Sequence, residues 1–175
     1  MAPVHNLSCV LLISLVFPWA VGSRKSPDNS FLPKNIQCPP GRFINNTNVP
    51  YPTFTVEIAK SNETWPQLLR EADERHFSPL TGVMVWLGVK IFPETDQMRV
   101  CLKERDTITG HGSLNPPLTI TGYISTDVPC QATITIPKRL IYHGVPNQLI
   151  PPTTTPDYIL DLELIREAIN SFRQA

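Results

Sequence analysis

Apolar and polar residues alternate along residues 53–59. Phe54, Val56 and Ile58 fall on one face, and Thr53, Thr55, Glu57 and Ala59 on the other. The run is rich in β-branched and aromatic residues and predicts a strand. The period then changes. Trp65, Leu68, Leu69, Ala72 and His76 keep helical spacing, and Gln67, Arg70, Glu71, Asp73, Glu74 and Arg75 fill the polar positions between them. Thr64-Trp65-Pro66-Gln67 fits a capping box, with Thr64 as the cap and Gln67 reaching back to it; Ser61 or Asn62 is the alternative cap. Pro66 lies in the first turn, where its missing N–H removes no intrahelical bond, and Pro79 ends the helix.

Residues 83–92 are almost continuously apolar and read as a central buried strand. Pro93-Glu94-Thr95-Asp96 reads as a turn, and residues 98–103 as the partner strand. Residues 118–125 and 132–136 predict further strands, and residues 139–143 a short strand at an edge. Residues 159–172 predict a terminal amphipathic helix that packs through Leu162, Ile165 and Ile169. Leu160 belongs to its apolar surface, with Asp157 and Asp161 near its positive end. The order is strand, helix, several strands, helix. It predicts an α+β fold: a mixed, mostly antiparallel sheet with two packed helices, the helix after Glu57 covering one face.

The first residues differ in kind. A mostly apolar run, 7–20, precedes the small-x-small pattern Ala20-Val21-Gly22 and a polar stretch from Ser23. This resembles a secretory signal peptide over residues 1–23, although no Lys or Arg precedes the apolar run. The run is shorter than the ~20 residues that span a bilayer comfortably. Residues 24–49 are polar, proline-bearing and without period, and read as a flexible arm ahead of one domain, 50–175. Export would remove Cys9 and leave Cys38, Cys101 and Cys130. That trio suits one disulfide plus a free thiol in an oxidising compartment, or three reduced thiols inside the cell. Asn45 and Asn62 each begin a glycosylation sequon. The 15 basic and 15 acidic residues leave the formal charge at zero, so composition alone predicts no general attraction to nucleic acid.

Chemistry concentrates on the first predicted strand. Glu is depleted in strand interiors, yet Glu57 sits in the middle of this one, and Lys60 follows at its end. No Gly-x-Ser-x-Gly turn, phosphate-cradling glycine loop or Cys/His zinc spacing occurs. Tyr51-Pro52-Thr53-Phe54-Thr55-Val56-Glu57-Ile58, then a helix, then Phe77-Ser78-Pro79-Leu80-Thr81 leading into Val85-Trp86-Leu87-Gly88-Val89-Lys90-Ile91-Phe92-Pro93, resembles the restriction-endonuclease domain family of the PD-(D/E)XK nuclease superfamily. The likeness is to divergent fungal members, and it covers residues 50–103.

The resemblance implies a restriction-endonuclease-like core and Mg²⁺-dependent hydrolysis of DNA phosphodiesters. It assigns Glu57 to the metal, Glu57 and Lys60 to catalysis, and Arg70 to nucleic-acid contact. The family pattern places an Asp on one strand and Glu-x-Lys on the next. Here Lys60 is one residue late, and alternation sends it to the face opposite Glu57 unless a bulge re-aims it. The only Asp upstream of Glu57 is Asp28, in a literal Pro-Asp within a segment that does not read as a strand. A nuclease fold with a degenerate site is therefore one expectation. The other is a secreted, non-catalytic interaction protein that reuses the fold. Structural readings stand beside both: Glu57 facing solvent and paired with Lys60 or Arg70, and His76, His111 and His143 as structural or surface residues.

Overall fold

The computed structural model describes residues 28–33, 51–60, 62–78, 81–105, 118–152 and 157–173. Its main sheet has the order β1 (Asn29–Phe31), β2 (Phe54–Ala59), β3 (Val85–Phe92), β4 (Gln97–Glu104), β5 (Leu118–Ile120), and β6 (Ile124–Ser125) pairs with the other end of β4. β2 and β3 run parallel, in register from Phe54↔Val85 to Ala59↔Lys90; every other pairing in this sheet is antiparallel. A parallel pair needs a crossover. Helix α1 (Trp65–Glu71), continued by a π-helical turn over Ala72–His76, supplies it. A separate two-stranded ribbon joins β7 (Thr133–Pro137) to β8 (Asp157–Asp161). Helix α2 (Lys138–Ile141) follows β7, and helix α3 (Leu162–Arg173) ends the described chain. The α+β class and the mixed, mostly antiparallel sheet follow the sequence reading.

Local chemistry accounts for these elements. Thr64 caps α1 by accepting from Gln67 N–H, while Gln67 Oε1 accepts from Thr64 N–H at 2.7 Å. At the tip of the β3–β4 hairpin, Asp96 takes φ 49°, a left-handed conformation that Asp tolerates better than most residues.

Each strand divides its residues between two cores. Val85, Leu87, Val89, Met98, Val100 and Leu102 face the ribbon and α2, where they meet Ile134, Ile136, Leu140 and Leu162. Trp86 and Cys101 face α1, where they meet Leu68, Ala72 and Phe77. Ile165 and Ile169 of α3 pack on the first core beside the buried Leu162, as their spacing predicted.

Three local expectations are corrected. Asn29–Phe31, inside the segment read as a flexible arm, is a strand on the edge of β2. Its partners lie 23 to 27 residues downstream, beyond the reach of local pattern. Residues 139–143 are not an edge strand, because Leu140 and Ile141 are both buried. Neighbours on a strand point to opposite faces, and a helical turn lets both reach one core. Residues 159–161, expected to start the terminal helix, belong instead to the strand Asp157–Asp161: Tyr158 and Leu160 pack against the first core while Ile159 is exposed. The helix begins after Asp161, whose Oδ1 accepts from Glu163 N–H at 2.9 Å.

Gly88 is required by its neighbours. The Trp86 indole, two residues away on the same face, lies over it. A Cβ at position 88 would fall 2.8 Å from Trp86 Cζ3 and 2.9 Å from Cys101 Sγ. Gly88→Ala is expected to lower stability by about 1–3 kcal/mol through overpacking. Urea denaturation measures this; an unchanged midpoint would show that the indole swings aside freely.

Candidate functional site

Glu57 is the third-from-last residue of β2 and points towards α1. It is 4 % exposed, so the solvent-facing reading is corrected. A carboxylate taken out of water needs a donor, and the π turn provides one. His76 Nε2 lies 3.2 Å from Glu57 Oε1, and His76 Nδ1 lies 3.1 Å from Thr55 Oγ1. Both ring nitrogens are thus engaged, Nε2 with the Glu57 carboxyl group and Nδ1 with the Thr55 hydroxyl. The backbone around His76 is held from a second side. Thr81 Oγ1 donates to the His76 carbonyl, and so does Arg105 Nη2 at 3.3 Å. Arg105 also donates to the carbonyls of Ser78 at 3.2 Å and Val83 at 2.7 Å. Burial lowers its guanidinium to about 10.

A hydroxyl, an imidazole and a carboxylate in line are the parts of a hydrolase triad. They cannot work as one here: Thr55 is 0 % and His76 1 % exposed, so no substrate carbonyl reaches the hydroxyl. The donor set also does not suit Mg²⁺, which takes oxygen ligands with carboxylates prominent among them. The groups that meet Glu57 are an imidazole directly and a threonine hydroxyl beyond it. Among the described residues, no group of three or more His, Cys, Asp or Glu is arranged to hold a metal.

The other residues singled out from the sequence are not brought to Glu57. Lys60 lines a cavity on the opposite face of the sheet, and its carbonyl accepts from the Lys90 ammonium. The expected Glu57–Lys60 pairing is thus corrected, because alternation continues through the strand end without a bulge. The buried lysines on the Glu57 face are Lys90 and Lys103, which share alternation parity with Gly88 and Cys101. Lys103 pairs with Asp73 of the π turn. Sequence reasoning missed both, although each stands an even number of residues from a position on that face. Arg70 is exposed on α1 and pairs with Glu74 at 4.0 Å, a helix-surface contact of small energetic weight.

Asp28 comes closer than its segment suggested, standing just before a strand that pairs with β2. Its carboxylate turns the other way: Oδ2 accepts from Ile58 N–H at 2.6 Å, and the side chain lines the same cavity as Lys60. Asn62 is exposed, and Asn45 lies outside the described residues. Cys101 and Cys130 are free thiols; Cys38 lies outside the described residues.

No protein-family model matches the chain, and neither a curated protein nor a solved structure matches it. No described helix is long and apolar enough to cross a membrane.

Two measurements probe the buried pair and its surroundings. Glu57→Ala leaves a buried imidazole without its partner and is expected to destabilise the fold by about 1–3 kcal/mol, whereas Glu57→Gln keeps an acceptor oxygen and loses less. Equal, small losses by chemical denaturation would mean that the pair is not a structural unit. Burial pushes the Cys101 thiol up to about 12, with the Gly88 carbonyl accepting from it at 3.6 Å. The thiolate is the reactive form. Cys101 in the native chain is therefore expected to resist iodoacetamide at pH 8 and to label fully once unfolded, as peptide mass mapping would report.

Proposed function

We propose that this chain is a restriction-endonuclease-like scaffold whose hydrolytic site has decayed, and that it acts by binding rather than by cutting DNA. The burial of Glu57 against His76 carries this reading. The glutamate that the family pattern would give to a metal is committed to an imidazole, and its nearest upstream Asp is committed to a backbone N–H on the other face. The scaffold half of the reading is supported by the succession of β2, the α1 crossover and the buried central β3, with β2 and β3 parallel. A fold hosts many functions, so the likeness contributes nothing further about activity.

The export-like features support a secreted setting for this binding protein. The apolar run 7–20 ends in a small-x-small pattern, and two sequons follow it. The second sequon is at an exposed position, Asn62, beyond the end of β2.

The deciding assay incubates the purified full chain with supercoiled plasmid DNA and Mg²⁺ or Mn²⁺, beside Glu57→Gln. No nicking above the buffer control is expected from either protein. Metal-dependent nicking by the natural chain that disappears in the variant would establish the active nuclease instead. For the setting, expression in a eukaryotic host is expected to place the chain in the medium, with a mobility shift on enzymatic deglycosylation that shrinks in Asn62→Gln. Retention of an unshifted, full-length chain in the lysate would overturn export.

A further inference from the structure

The two faces of the β2–β3 pair are sealed unequally. The α1 face is closed, but the opposite face opens on a cavity of about 880 Å³ between the sheet, the β7–β8 ribbon and α3. Its size falls within the usual range of ligand sites, about 300–1,000 Å³. Its walls are aliphatic and aromatic: Phe54, Val56 and Val89 from the sheet, and Leu160, Ile165 and Ile169 from the other side. Ile58 and Leu164, both cavity-lining, remain 46 % exposed, so apolar side chains continue from the interior to the mouth.

The polar groups in the lining are few, and most are already engaged. Tyr158 donates to the Tyr142 hydroxyl at 3.3 Å, and burial raises the Tyr158 pKa, which keeps it protonated. Asp28 accepts from Ile58 N–H. Lys60 is different. Its backbone carbonyl is occupied, but its ammonium makes no ion pair or hydrogen bond among the described residues, and it stands exposed in the cavity lining. An apolar chamber with one uncommitted cation among its described lining residues complements a molecule that has an apolar chain and a single negative head. A compact polar ligand would leave the apolar walls wet.

We propose that this cavity binds a free long-chain fatty acid, its alkyl chain between the sheet and α3 and its carboxylate on Lys60. The site lies on the face of the sheet opposite Glu57, so it stands or falls independently of the nuclease assay.

The probe is cis-parinaric acid, a fluorescent fatty acid, titrated into the purified full chain, with palmitic acid and hexadecanol as competitors. The expected result is saturable uptake of one probe per chain, displaced by palmitic acid. Ala168 lines the cavity from an exposed position on α3, so Ala168→Trp fills the space with little disturbance to the fold and is expected to abolish uptake. Lys60→Glu, also at an exposed position, is expected to weaken palmitic acid by about tenfold or more, the scale of one lost charge-assisted contact, and to leave hexadecanol unchanged. Both variants are checked by circular dichroism and thermal melting. If Ala168→Trp fails to fold, Leu164→Trp takes its place. The proposal is overturned if the full chain shows no saturable uptake, if a folded cavity-filling variant binds as the natural chain does, or if Lys60→Glu weakens acid and alcohol alike.

Discussion

A carboxylate sealed beneath a helix must be met by a donor, and in this chain that requirement organises the centre of the molecule. Glu57 is met by His76. His76 reaches it from a π turn, where one extra residue widens the helix at Ala72–His76 and Phe77 N–H bonds back to the Ala72 carbonyl at 3.0 Å. The carbonyls exposed around that turn are collected by Arg105, which enters from just past the end of β4. The polar residue that looked most like chemistry in the sequence is therefore the hub of a structural network. It joins the second strand, the crossover helix and the end of the fourth strand.

Much of the fold was legible because those elements satisfy their own rules locally. β2 alternates, α1 carries its capping box, and β3 is almost continuously apolar because its residues are buried on both faces. The elements misread are those whose state is set by distant partners. Asn29–Phe31 is a strand only because β2 offers an edge. Asp157–Asp161 contains aliphatic residues that fit a helix as well as a strand, and its pairing with β7 decides. At Lys138–Ile141 two adjacent apolar residues were compatible with either state until burial of both selected the helical turn.

The candidate site was legible as a location but not as a function. A glutamate in mid-strand is conspicuous, and alternation correctly sent Lys60 to the other face. Nothing local to β2 revealed that Glu57 would be covered, since the cover comes from His76, 19 residues away. The cavity was hidden for the same reason: Phe54, Val56 and Ile58 look like an ordinary core face, and only the way the ribbon and α3 lie across it leaves a cavity beside them. Side-chain identity along a strand predicts which residues share a face, but the spacing of the layer above decides whether that face is filled.

The coupling between Glu57 and His76 also bears on how such a chain changes over generations. Losing either member alone strands the other in a dry interior, so drift by single steps meets a barrier at both positions. The two are held as a pair by the integrity of the fold, with or without selection for catalysis. A glutamate so placed can persist for the sake of the fold alone, and its persistence in a lineage is no record of enzymatic work.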